Sequence, residues 1–123
     1  MTMNILQFAA NVDAAFRQYW MDLQNYEINS TWCSDLVIAM AFENKEPGAI
    51  DKTINDAITN WKSNFQMFTD LIVATNWLSW FCYQSENYKQ YTDKFSDWYY
   101  KLEDIAYENF NKEEKARLYR LLD

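Results

Sequence analysis

One proline and one glycine serve all 123 residues, and they are neighbours, Pro47 and Gly48. Strand-rich folds reverse direction often and use glycine, proline and asparagine at the tight turns. A chain this poor in breakers is directed towards helices instead. The pair sits in Asn44-Lys45-Glu46-Pro47-Gly48, the plainest loop signal in the sequence. The long stretches on either side must be read from the period of their apolar residues.

That period is helical. Ile5, Val12, Tyr19 and Tyr26 recur every seven residues, with Ala9, Phe16 and Leu23 as a second series. Trp20 widens the stripe, while Asn11, Arg17, Gln18 and Gln24 fall outside it, so the pattern predicts a helix over 3–26. Asn29, Ser30 and Thr31 offer cap-type side chains before Trp32. The run Leu36 to Phe42 is apolar on all sides and predicts a buried helix, since a lone strand would find no partner.

From Ile50 the stripe continues through Ile54, Ala57, Ile58, Trp61, Phe65, Phe68 and Ile72. Val73, Trp77, Trp80 and Phe81 then point away from it, at about 100° per residue. Three readings stand: a break near Thr75 and Asn76, a helix buried on two sides, or aromatics exposed for a partner. Tyr88, Tyr91, Phe95, Trp98, Leu102 and Ile105 mark another amphipathic helix. Asn111 and Glu114 resemble a capping box that opens a short helix with Leu118, Leu121 and Leu122. Its Lys112, Lys115, Arg117 and Arg120 form the one basic region. The expected fold is all-α, a single-domain bundle of four to five helices spanning 1–123.

Half the residues are apolar or aromatic, with six Trp, nine Tyr and eight Phe, ample material for a core. The formal charge of -7 opposes phosphate backbones and anionic lipid and attracts a basic partner. Neither direct nucleic-acid binding nor membrane association is expected. The densest apolar runs, Leu36–Phe42 and Trp77–Tyr83, fall far short of the roughly 20 residues that cross a bilayer. Two unpaired cysteines, Cys33 and Cys82, and an N-terminus without a secretory pattern suit a cytoplasmic setting.

Histidine is absent, which removes the usual proton-transfer group near neutral pH and the commonest transition-metal ligand. No glycine-rich phosphate loop exists. What survives is carboxylate chemistry with Mg²⁺. Glu43 and Glu46 have the three-residue spacing of a nucleotide-hydrolysing helical bundle, but Glu46 abuts Pro47 and no second pair follows. Glu103, Asp104 and Glu108 are the other carboxylates close enough to consider, and such groups at helical spacing are usually solvated. No catalytic residue, metal or cofactor is therefore assigned, and a Mg²⁺-dependent nucleotide hydrolase is the weakest reading.

One surface stands out. On a helix over 86–108, Glu86, Asp93, Asp97, Asp104 and Glu108 fall within an arc of about 60° opposite the apolar stripe, spread over roughly 33 Å. Tyr100 and Tyr107 flank this ridge, and Lys89, Lys94 and Lys101 lie towards its sides. Tyrosine beside unpaired charge is a composition favoured at interfaces. The plain alternative is a solvated helix face, although like charges such as Asp93 with Asp97 cost about 0.2–0.5 kcal/mol per pair.

These seven residues are the expected partner site of a small, non-enzymatic inhibitor that blocks the basic, nucleic-acid-binding surface of a protein. In type it would act like phage and plasmid inhibitors of CRISPR and restriction systems, as a nucleic-acid mimic. An immunity protein against a basic toxin is an alternative. So is an assembly module that dimerises through aromatics near Trp77.

Overall fold

The computed structural model describes residues 5–22 and 31–122. It contains α1 (Ile5–Asp22), α2 (Thr31–Glu43), α3 (Ala49–Trp61), α4 (Phe65–Gln84), a 3-10 turn at Lys89–Tyr91, α5 (Thr92–Asn109) and α6 (Lys112–Leu122). The fold is an all-α bundle, with six α-helices and no strand among the described residues. Leu23, Gln24, Tyr26, Asn29 and Ser30, with the side chains of Tyr19, Trp20 and Thr31, lie outside the described residues.

α1 turns Phe8, Val12 and Phe16 inward, one turn apart, so Phe8 belongs to the buried line that the seven-residue series had left out. α2 departs from the expected all-round burial. Trp32, Cys33, Leu36, Val37, Ala39 and Met40 are buried, but Ile38 and Phe42 face outward, at 56% and 50% exposure. Neighbours α1, α3 and α4 cover most of this helix and leave one outer strip open.

Between α2 and α3 the chain reverses through the predicted loop. Gly48 adopts φ 96°, a left-handed conformation that only glycine enters without strain. The Glu43 carboxylate accepts the N–H groups of Gly48 and Ile50, at 3.2 and 3.0 Å, satisfying donors at the start of α3. α3 then buries Ile50, Ile54 and Ala57.

The stripe from Ile50 to Ile72 is two helices. α3 stops at Trp61, and Asn64 caps α4 by accepting the Met67 N–H at 3.0 Å. No break occurs near Thr75 and Asn76, because α4 runs through them unbroken. Its centre is buried on two sides: every residue from Phe68 to Thr75 is inaccessible. α5 covers one side, and α1, α2 and α3 pack elsewhere on the helix. The Trp32 indole N–H donates to the Met67 carbonyl at 3.0 Å, and Phe16 meets Trp77 edge-on with ring centroids 5.5 Å apart. Burying each such large side chain contributes about 1.5–3 kcal/mol.

α5 shows the simpler one-sided pattern, with Phe95, Trp98, Leu102 and Ala106 inside. α6 opens as the sequence predicted. The Asn111 side chain accepts the Glu114 N–H and the Glu114 carboxylate accepts the Asn111 N–H, both at 2.9 Å.

Candidate functional site

The outer face of α5 carries four exposed carboxylates, Asp93, Asp97, Asp104 and Glu108, turned away from the buried line. Tyr100 and Tyr107 stand beside them at 62% and 57% exposure. Glu86 does not join them. The chain leaves α4 at Ser85, turns, and passes through the 3-10 segment before α5 begins at Thr92, so Glu86 is exposed in a turn off the helix axis. The ridge is four carboxylates long and covers about 22 Å, at about 1.5 Å per residue.

Cations border it on both sides. At about 100° per residue, Lys94 and Lys101 lie next to Asp97 on the side that faces α3. Lys94 Nζ contacts both carboxylate oxygens of Asp51, at 3.0 and 3.2 Å, and the Trp98 indole N–H donates to the same carboxylate at 2.7 Å. Lys101 sits over the Trp98 ring, 4.9 Å from its centroid. Burial alone would raise the Asp51 carboxyl pKa. Hydrogen bonds from Trp98 and Lys94 and the charges of Lys94 and Lys101 outweigh it, and hold the group below the usual carboxylate range. Asp51, Asn55, Gln90, Lys94, Asp97, Trp98 and Lys101 line an open cleft of about 650 Å³ beside the ridge.

On the opposite flank α6 reaches one residue of the ridge. Lys115 lies 4.1 Å from the centroid of the Tyr107 ring, so one face of that ring is covered. Nearby, the Tyr99 hydroxyl donates to Glu103 at 2.9 Å. Burial, that hydrogen bond and the Glu103 charge push the phenol pKa up. Tyr100 is thus the more open of the two ridge tyrosines. Signs that look segregated along α5 are interleaved across the surface, because the balancing lysines come partly from the helix sides and partly from α6.

Asp51 is the member that sequence reading missed. It lies 43 residues from Lys94 and 47 from Trp98, and in the sequence it is an ordinary acid in the first turn of a helix. Only the tertiary fold, which brings the start of α3 within side-chain reach of α5, gives it a second role.

The remaining chemistry-bearing groups are committed elsewhere. Glu43 caps α3, and among the described residues no group of three or more cysteine or carboxylate side chains is placed to hold a metal ion. Cys33 and Cys82 are both buried. Burial, followed by the charges of Asp13 and Asp70, pushes the Cys33 thiol well up, and burial pushes Cys82 to about 12. Both stay as unreactive thiols at neutral pH. No helix among the described residues is long and apolar enough to cross a membrane.

No family profile matches this chain, and neither a curated protein nor a solved structure matches it.

Proposed function

We propose that this protein works by binding, without catalysis of its own, and that the outer face of α5 docks on a basic surface of a protein partner. The observation that carries this reading is the exposure of Asp93, Asp97, Asp104 and Glu108 along one helix face with Tyr100 open beside them. Asp93 with Asp97 and Asp104 with Glu108 repel at helical neighbour spacing, and Lys94 and Lys101, three or four residues from Asp97 and Asp104, offset only part of that repulsion. A basic partner relieves that repulsion and gains speed of encounter from the field of a chain carrying -7.

The partner of best fit is the nucleic-acid-binding surface of a cytoplasmic effector. Occupying it would make the chain an inhibitor of the type used against CRISPR and restriction systems. The lysine borders narrow this fit. Mimicry of a phosphate backbone is confined to the strip from Asp93 to Glu108, and a matching partner surface needs its cations in one narrow row.

The partner is recovered by affinity purification from the native host, and its affinity is then measured against a charge-reversed ridge. Asp93→Lys, Asp97→Lys and Asp104→Lys together should leave the helical circular dichroism intact and weaken binding at least about 100-fold. Binding to the unaltered protein should also fall steeply as salt rises. An unchanged affinity in the triple variant sinks the ridge as the docking surface.

A further inference from the structure

Helix spacing offers Asp97 two cations. Lys94 precedes it by three residues and Lys101 follows it by four, and an acid four residues before a lysine is the favourable order for a pair on one helix. Neither pair forms. The ion pairs among the described residues are Arg17 with Asp13 and Lys94 with Asp51, and Asp97 has none. Lys101 also passes over Asp104, three residues on, and lies 4.9 Å from the centroid of the Trp98 ring.

One residue of α3 turns both lysines. Lys94 Nζ reaches the two carboxylate oxygens of Asp51 at 3.0 and 3.2 Å. The Trp98 indole N–H donates to the same carboxylate at 2.7 Å, which fixes the ring that Lys101 covers. Burial works against the Asp51 charge. The Trp98 and Lys94 hydrogen bonds and the charges of both lysines still hold its carboxyl below the usual range, so Lys101 as well as Lys94 is within electrostatic reach of this anion. Pairs between exposed neighbours on one helix are weak, and little holds a lysine to Asp97 once Asp51 is near.

We infer that Asp51 is a positioning residue for the α5 ridge: it keeps Lys94 and Lys101 off Asp97 and so leaves that carboxylate open to a basic partner. This role rests on the reading of the ridge as the docking surface. Without the Asp51 charge, Lys94 falls back on Asp97 at its three-residue spacing, and a partner must displace it before binding. Asp51 acts through the lysines, so its removal has a signature that loss of one negative charge does not share.

Octa-arginine serves as the basic probe, titrated at low salt into the intact protein while the backbone amide signals of α5 are followed by NMR. Those signals should move in the unaltered protein and stay still in the Asp93→Lys, Asp97→Lys, Asp104→Lys variant. Asp51→Asn should weaken the probe about two- to fivefold more than Asp56→Asn, which takes the same charge from an exposed position of α3. Adding Lys94→Gln to Asp51→Asn should restore the affinity. Adding Lys52→Gln instead, which returns the same net charge from another exposed position, should not. Equal losses in Asp51→Asn and Asp56→Asn, or equal recovery with Lys52→Gln and Lys94→Gln, overturn the positioning role and leave the ridge standing. Amides of α5 that ignore the probe in the unaltered protein overturn the ridge and this role with it.

Discussion

α4 and α5 lie against each other, run to 20 and 18 residues, and are built on opposite plans. α4 has a single charged residue, Asp70, itself buried and accepting a hydrogen bond from Gln66 at 3.0 Å, and it hides eight consecutive residues from solvent. α5 carries seven charged residues and buries only Phe95, Trp98, Leu102 and Ala106. The difference separates two kinds of constraint. On α4 almost every side chain in the central stretch is fixed by packing on one side or the other. On α5 packing fixes one face and leaves the other to be set by charge, which is why the candidate surface lies there.

Truncating the buried helix gives the largest effect expected of this contrast. Phe68→Ala removes a fully buried ring that faces Phe110 at 6.0 Å and should cost about 3–5 kcal/mol in urea unfolding. A loss under about 2 kcal/mol would mean that α4 is not the packed centre its burial indicates.

The tether between α3 and α5 comes next. Asp51→Asn removes the charge that Lys94 and Trp98 share and should cost about 1 kcal/mol, a modest value because both members of the ion pair are 39% exposed. The folded carboxyl lies below its unfolded value, so its contribution is present well above about pH 3.9 and is lost as pH falls through the lower folded value. The melting temperatures of the two proteins should therefore differ at pH 7 and draw together at pH 3. A constant gap across that range would show that Asp51 contributes by shape and not by charge.

Smallest is Tyr100→Ala on the open face of α5, expected to change stability by under about 0.5 kcal/mol. A larger loss in thermal unfolding would show that the ridge side of α5 is held by contacts of its own, and would erase the contrast with α4.

Helical class was legible because it is a local matter: the Ile50 to Ile58 and Phe95 to Ile105 stripes need only residues three and four apart. The capping box at Asn111 and Glu114 and the turn at Gly48 were legible for the same reason. The break at Lys62–Asn64 was not, since the apolar phase continues across it and only the Asn64 cap marks it. Glu86 was misplaced because a 3-10 entry leaves the tyrosine spacing of Tyr88 and Tyr91 unaltered. Four of the five ridge carboxylates could be placed from helix geometry. The lysine borders could not, because Asp51 and Lys115 arrive from other helices, and no pattern within α5 announces them.

The two-sided burial of α4 also has a consequence in time. A chain made from its N-terminus completes α1, α2 and α3 before α4, so one side of α4 has its neighbours waiting. The other side has none until residues 92–109 have been added. During that interval a helix with one charge in 20 residues presents bare apolar surface to its surroundings, and the growing chain is prone to stick. Completion of α5 covers the central stretch of that surface, so the helix that bears the outward charge also removes much of the stickiness of the half-made molecule.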